Sequence, residues 1–268
     1  MASKHFGGVL LGPVLDTWCR YTPFYRQFPP RSNHGLATLD RLVAVAPGQN
    51  WAYLRIPKAA NSAVTVTLES MLLRQTGHPL SSRQARRAFA RPSLLGRKEA
   101  TQLGENGFLF TVVRNPYHRI LSAYLDKFCE GRRSPRHYRS RYGAALNRYD
   151  KAGAMSFSGF CRWLEAGGWA ANVHWLPQTH IIALLGEQRL NAIAHVEQLD
   201  DELAAIIAQL TNTPAKIQIE RYTGPISTHA AERCAAYYDT ETTDIIRRIY
   251  KEDFQALSYQ YRLPDPRD

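Results

Sequence analysis

The chain has 268 residues, 44% of them hydrophobic, and 34 Lys and Arg against 23 Asp and Glu give a formal net charge of +11. That length and apolar content suffice for one sizeable core, so a globular enzyme is expected, one domain over residues 1–268 with its core at 50–262. The cysteines Cys19, Cys129, Cys161 and Cys234 show neither C-x-x-C spacing nor clustered histidines, which argues against a zinc site and for buried free thiols.

The segment 1–49 is rich in Pro and aromatic residues and reads as irregular chain packed over the core. Its apolar stretch Phe6 to Leu15 is broken by Gly7, Gly8, Gly12 and Pro13, is too short to span a bilayer and lacks a clear cleavage site. A soluble, cytoplasmic protein is therefore expected. Trp51 to Ile56 reads as a buried strand, which Pro57 ends by removing a ladder donor. A helix starts just beyond, with Asn61 or Ser62 as its cap and Val64, Leu68, Met71 and Leu72 on one face. Lys58, Ala59, Ala60, Asn61, Ser62 and Ala63 thus join strand to helix, where aligned N–H groups, a fixed charge and a hydroxyl suit an anion. The loop lacks both glycines of the G-x-x-x-x-G-K-[ST] nucleotide loop, so it fits an anion without that fingerprint.

A basic connection follows, with Arg83, Arg86, Arg87, Arg91, Arg97 and Lys98. Gly104-Glu105-Asn106-Gly107 marks a turn into a second strand, Phe108 to Val113, and Pro116 suits the first position of the helix after Arg114-Asn115. Ser122 lies roughly two helical turns past that start, so Arg114 and Ser122 are placed to converge on a second anion. An ordinary ion pair for Arg114 and a small packing residue at Ser122 is the competing reading. A second basic stretch holds Arg132, Arg133, Arg136, His137, Arg139, Arg141 and Arg148. The remainder reads mostly as helix, including Phe157 to Glu165 and Asp200 to Leu210, with a short strand near Ile193 to Val196. Strands joined through helices imply a parallel sheet with ligands at its carboxyl ends.

The segments Pro57-Lys58-Ala59-Ala60-Asn61-Ser62 and Val113-Arg114-Asn115-Pro116 through Arg119-Ile120-Leu121-Ser122-Ala123-Tyr124 resemble two motifs of sulfotransferases. These are the 5′-phosphosulfate loop and the 3′-phosphate motif of enzymes that use 3′-phosphoadenosine 5′-phosphosulfate (PAPS). The resemblance is to the carbohydrate sulfotransferase family with the chondroitin, dermatan and HNK-1 enzymes. Three later segments extend it in order: Asn172-Val173-His174-Trp175-Leu176-Pro177-Gln178, His195-Val196-Glu197-Gln198-Leu199, and Ile249 to Tyr259. Asn61 and the pair Leu257-Ser258 depart from the family pattern.

The resemblance implies an α/β, P-loop-like sulfotransferase fold, with a central parallel sheet flanked by helices and a helix-rich C-terminal half. It implies sulfonate transfer from PAPS to a carbohydrate hydroxyl, with the bisphosphate PAP as product and no metal. Lys58 would stabilise the leaving oxygen, and Ser62 with the loop amides would hold the 5′ phosphate. Arg114 and Ser122 would hold the 3′ phosphate, and Arg221, in the loop Arg221 to Ser227, would close over the nucleotide. His174 would be the base, since imidazole titrates near neutral pH, and His174 with Trp175 would meet the acceptor. A packed His174, a core Trp175 and a structural His118 are the bland counterparts. The charge favours an acidic glycan, and the missing anchor points to a microbial member. Two readings compete: a kinase-like nucleotide enzyme, disfavoured by the absent glycines, and a non-catalytic polyanion-binding module. Nucleic-acid binding is disfavoured because no recognised nucleic-acid motif accompanies the charge.

Overall fold

The computed structural model describes residues 6–29, 35–46, 48–70, 85–130, 134–150, 155–185, 189–212 and 228–264. In chain order they form α1 (Phe6–Tyr21), α2 (Pro23–Gln27), α3 (Leu36–Leu42), β1 (Val43–Val45), β2 (Trp51–Leu54), α4 (Asn61–Leu68), α5 (Arg97–Asn106) and β3 (Phe108–Val113). There follow α6 (Pro116–Tyr124), a π-helical turn (Leu125–Glu130), α7 (Ser134–Asn147), α8 (Phe157–Glu165), α9 (Gln178–Leu185), β4 (Ala192–His195), α10 (Leu199–Thr211), α11 (Ala230–Tyr237), α12 (Thr240–Ile249) and α13 (Lys251–Ala256). The chain divides into two compact units, the first of residues 1–56, 61–112 and 180–222, the second of 57–60, 113–179 and 223–268.

The first unit carries the sheet, in the order β1-β2-β3-β4. β2 and β3 run parallel with Trp51 opposite Phe108, whereas β1 runs antiparallel to β2 with Val43 opposite Leu54. The sheet is therefore mixed, which corrects the expected wholly parallel arrangement. Only a short connection through Gly48, at φ 70°, joins β1 to β2, and so short a link can connect only antiparallel neighbours. Aromatic and β-branched side chains bury β2 and all but the first residue of β3, as in strands covered on both faces. Tyr53 and Phe110 stack across them at 5.1 Å, and Thr111 Oγ1 donates to the Leu54 carbonyl at 2.7 Å.

Where it is described, segment 1–49 forms the helices α1, α2 and α3 and the strand β1 and is not mainly irregular. Two devices explain this. Pro23 occupies the start of α2, where a missing N–H costs nothing. The start of α3 is capped from a distance, because Asp16 in α1 accepts from the N–H groups of Gly35 and Ala37 at 3.2 and 2.6 Å. Gly104 to Asn106 likewise belongs to α5, and only Gly107 leaves the helix; a Cβ there would collide with the Leu103 carbonyl.

The second unit is helical around a cluster of buried aromatics that includes Tyr117, Phe128, Phe160, Trp163, Trp175 and Phe254. α6 begins as expected, with Pro116 in its first turn and the Asn115 side chain accepting from Tyr117 N–H at 3.0 Å. Cys19, Cys161 and Cys234 are buried, but Cys129, in the π-helical turn, is exposed, a correction to the expected set.

Candidate active site

The loop Pro57–Ala60 belongs to the second unit. Lys58 and Ala60 both take the left-handed backbone region, at φ 71° and 50°. An L-residue pays about 1 kcal/mol or more to sit there, and glycine would be the default. Positive φ at alternate residues is the pattern of an anion nest, which turns successive N–H groups toward one side. The loop thus has two left-handed residues in a nest-like pattern without the glycines of the nucleotide loop.

Two arginines of the second motif hold it. Arg114 Nη1 donates to the Lys58 carbonyl at 3.3 Å, and Arg119 Nε donates to the Pro57 carbonyl at 2.9 Å. Arg119 also donates to the carbonyls of Leu176 at 2.9 Å and Val173 at 3.3 Å, so one wholly buried guanidinium ties the lysine loop to the loop carrying His174. Arg119→Ala would strand three carbonyl acceptors in the interior, and it is expected to cost about 3 kcal/mol or more in denaturant unfolding. Lysine at this position lacks the fork that reaches three carbonyls and should restore only part of that.

Arg114 is fixed through its own backbone. Gln178 Oε1 accepts from Arg114 N–H at 3.0 Å while Gln178 Nε2 donates to Arg114 C=O at 2.8 Å. Asp253 in α13 accepts from Gln178 N–H at 2.8 Å and from Thr179 N–H at 2.9 Å, capping the start of α9. Three sequence segments, those of Arg114, Gln178 and Asp253, therefore close on one another within this unit.

Lys58 Nζ lies 3.1 Å from Asp126 Oδ2 and Lys127 Nζ lies 2.9 Å from the same oxygen. Burial lowers the Lys58 ammonium from its usual range, with Asp126 opposing the shift. Burial pushes the Asp126 carboxyl up, but Lys58 and Lys127 outweigh it and hold it below the usual range.

His174 Nδ1 lies 2.8 Å from Asn172 Oδ1. Asn172 Oδ1 also accepts from the His174 backbone N–H at 3.1 Å, which turns the amide oxygen toward the imidazole, so Nδ1 donates to it. The lone pair then resides on Nε2. Burial, followed by the fields of Lys127 and Lys58, lowers His174 to about 3, which keeps it unprotonated at neutral pH. Beneath it Trp175 is completely buried, edge-on to Tyr142 and Phe160 at 5.3 and 5.7 Å, and its indole N–H donates to the Gly168 carbonyl at 2.9 Å. It offers no face to a sugar, which corrects its assignment to substrate binding.

Ser122 is buried, with its hydroxyl 3.0 Å from that of Thr228. His118 is buried in α6. In the first unit the loop continues into α4, where Asn61 Oδ1 accepts from Tyr53 Oη–H at 2.9 Å and Ser62 and Ala63 are half-buried. A cavity of about 420 Å³ there is lined by Ala63, Glu197, Asp200 and Asp201 among others; its carboxylates make it no phosphate site. Arg221 and its loop, with Met71, Leu72, Arg83, Arg132 and Arg133, lie outside the described residues. Sequence reasoning missed Asp126, Lys127 and the roles of Arg119 and Asn172. The available signal was an acid-base pair directly after the second motif's helix.

The model of the sulfotransferase family matches residues 41–260. Over 175 residues the chain is 26% identical to carbohydrate sulfotransferase 10 of Gallus gallus, covering 59% of this chain and 48% of that protein. Over 83 residues it is 39% identical to carbohydrate sulfotransferase 14 of Homo sapiens, covering 28% of this chain and 21% of that protein. The chain thus spans about half the length, or less, of these curated relatives. No solved structure gives a significant match.

Proposed function

Because the chain belongs to the sulfotransferase family, we propose that it transfers the sulfonate group of PAPS to a hydroxyl of a carbohydrate acceptor. The observation that carries the reading is the glycine-free anion nest at Lys58 and Ala60, held by Arg114 and Arg119 of the second motif. The names of the relatives, carbohydrate sulfotransferases 10 and 14, supply the acceptor class. The net charge of +11 favours an acidic one.

The residues present fit such a donor. The Lys58–Ala60 amides, with Asn61, Ser62 and Ala63 following in the chain, are assigned to the 5′ phosphate. Arg114 and Ser122 are assigned to the 3′ phosphate and Arg221 to the nucleotide, the last from sequence alone. Bound donor supplies an activated sulfonate on an anionic bisphosphate leaving group. His174 Nε2 accepts the acceptor hydroxyl's proton, and Asn172 fixes the tautomer that leaves Nε2 free. Lys58 sets its positive charge where the departing oxygen gains an electron pair.

Arg114 provides the test of donor identity. Arg114→Ala should weaken adenosine 3′,5′-bisphosphate binding by about 10-fold to 100-fold while changing the affinity for AMP little. Calorimetric titration of both ligands measures the ratio, and an unchanged ratio would remove Arg114 from the 3′ phosphate.

A further inference from the structure

Asp126 has no part in the reading above, although it is the counter-ion of the central lysine. It sits in the π-helical turn Leu125–Glu130, whose Phe128 carbonyl accepts from Arg139 Nε and Nη2 at 2.9 and 2.6 Å. Such turns re-aim side chains and recur at functional sites. One carboxylate oxygen serves two ammonium groups, those of Lys58 at 3.1 Å and Lys127 at 2.9 Å. The three side chains, Lys58, Asp126 and Lys127, retain only 17%, 23% and 12% of their surface. Among the described residues, the other charged or titratable groups near Lys58 and His174 include the cations Arg114 and Arg119 and the phenol of Tyr138, which lies 3.5 Å from Nδ1 of the unprotonated His174 with its ring 5.1 Å from the Lys127 ammonium.

A buried ammonium beside Lys127 and Arg114 with no anion at hand is pushed toward its neutral form. A lysine held too firmly by a private carboxylate would be equally useless, since its departure would leave a buried charge unpaired. Sharing the oxygen resolves both problems. When Lys58 turns to another anion, Asp126 keeps Lys127, so the handover strands no charge.

We propose that Asp126 is a positioning residue that keeps the Lys58 ammonium charged and parked beside the loop until an incoming phosphosulfate replaces it as counter-ion. The inference takes its chemical purpose from the sulfonate-transfer reading; its test does not need that reading.

The direct readout is the ionisation of Lys58 in the full chain, followed as the pH dependence of its acylation and quantified on the Lys58 peptide by mass spectrometry. In Asp126→Asn the midpoint should fall by about one pH unit or more, with the alkaline limb of turnover moving alongside it. Asp126→Glu should restore the midpoint. Lys127→Met should raise it, because a competing cation is gone, and this variant carries the test if Asp126→Asn fails to fold. An unmoved midpoint in folded Asp126→Asn, or an unmoved or lowered one in Lys127→Met, would overturn the proposal. A shifted Lys58 in a protein without sulfonate transfer would uphold the pair and sink the donor reading. An unshifted Lys58 in an active enzyme would do the reverse.

Discussion

Lys58→Ala should lose about 10³-fold in turnover, equivalent to about 4 kcal/mol of transition-state stabilisation. The lysine is the one side chain of the nest loop that carries charge, and its Nζ is held within the second unit by Asp126 at 3.1 Å. The substitution should leave the fold intact, because Asp126 retains Lys127 at 2.9 Å and the Lys58 carbonyl still accepts from Arg114. Bisphosphate affinity should fall by no more than about tenfold, since the backbone nest and the arginines remain. Turnover is read as bisphosphate release from PAPS with an accepting glycan present, and affinity by calorimetry. A loss of turnover matched by an equal loss of bisphosphate affinity would make Lys58 a binding residue only.

His174→Ala should cost about 10³-fold in turnover with donor affinity little changed, the range expected for a lost general base. The structure adds a pH signature. His174 is lowered from 6.5 to about 3, first by burial and then by the cations Lys127 and Lys58. An anionic donor neutralises part of that cationic field, so the imidazole should become more basic when donor is bound. The acid limb of turnover under saturating donor should therefore lie at higher pH than the titration of His174 in the free protein, which NMR reads directly.

Stability follows the same shift with a definite sign. Because the folded value is depressed, the unfolded chain binds more protons between pH 6.5 and about 3. The contribution from keeping His174 neutral is fully present above pH 6.5 and is lost as the pH falls toward about 3. His174→Asn should flatten the fall in unfolding free energy across that window; an unaltered slope would show that the imidazole titrates normally.

Sequence patterns read well where local chemistry decides the outcome. Phe108–Val113 is a strand because aromatic and β-branched residues run up to Arg114, and α6 starts at Pro116 because proline suits that position. The Lys58 loop was readable for the same reason, as a strand ended by Pro57 running into a helix. What escaped depends on partners distant in the chain. The cap of α3 comes from Asp16, 19 residues before Gly35, so the helices of segment 1–49 left little local trace. Asp126 meets Lys58 across 68 positions and Arg119 meets Val173 across 54. Trp175 looked like a sugar platform in a linear motif; burial in an aromatic cluster is a property of packing that no window of sequence contains.

If the nest loop and Arg114 hold the donor, they must select a 3′-phosphorylated adenine nucleotide. Calorimetric binding of adenosine 3′,5′-bisphosphate, compared with ADP and with ATP plus magnesium at two salt concentrations, tests that selection most directly. Metal-independent binding of the bisphosphate that survives the higher salt is expected, with both other nucleotides much weaker. Preference for ATP with magnesium, or weak and salt-labile binding of all three, would contradict it.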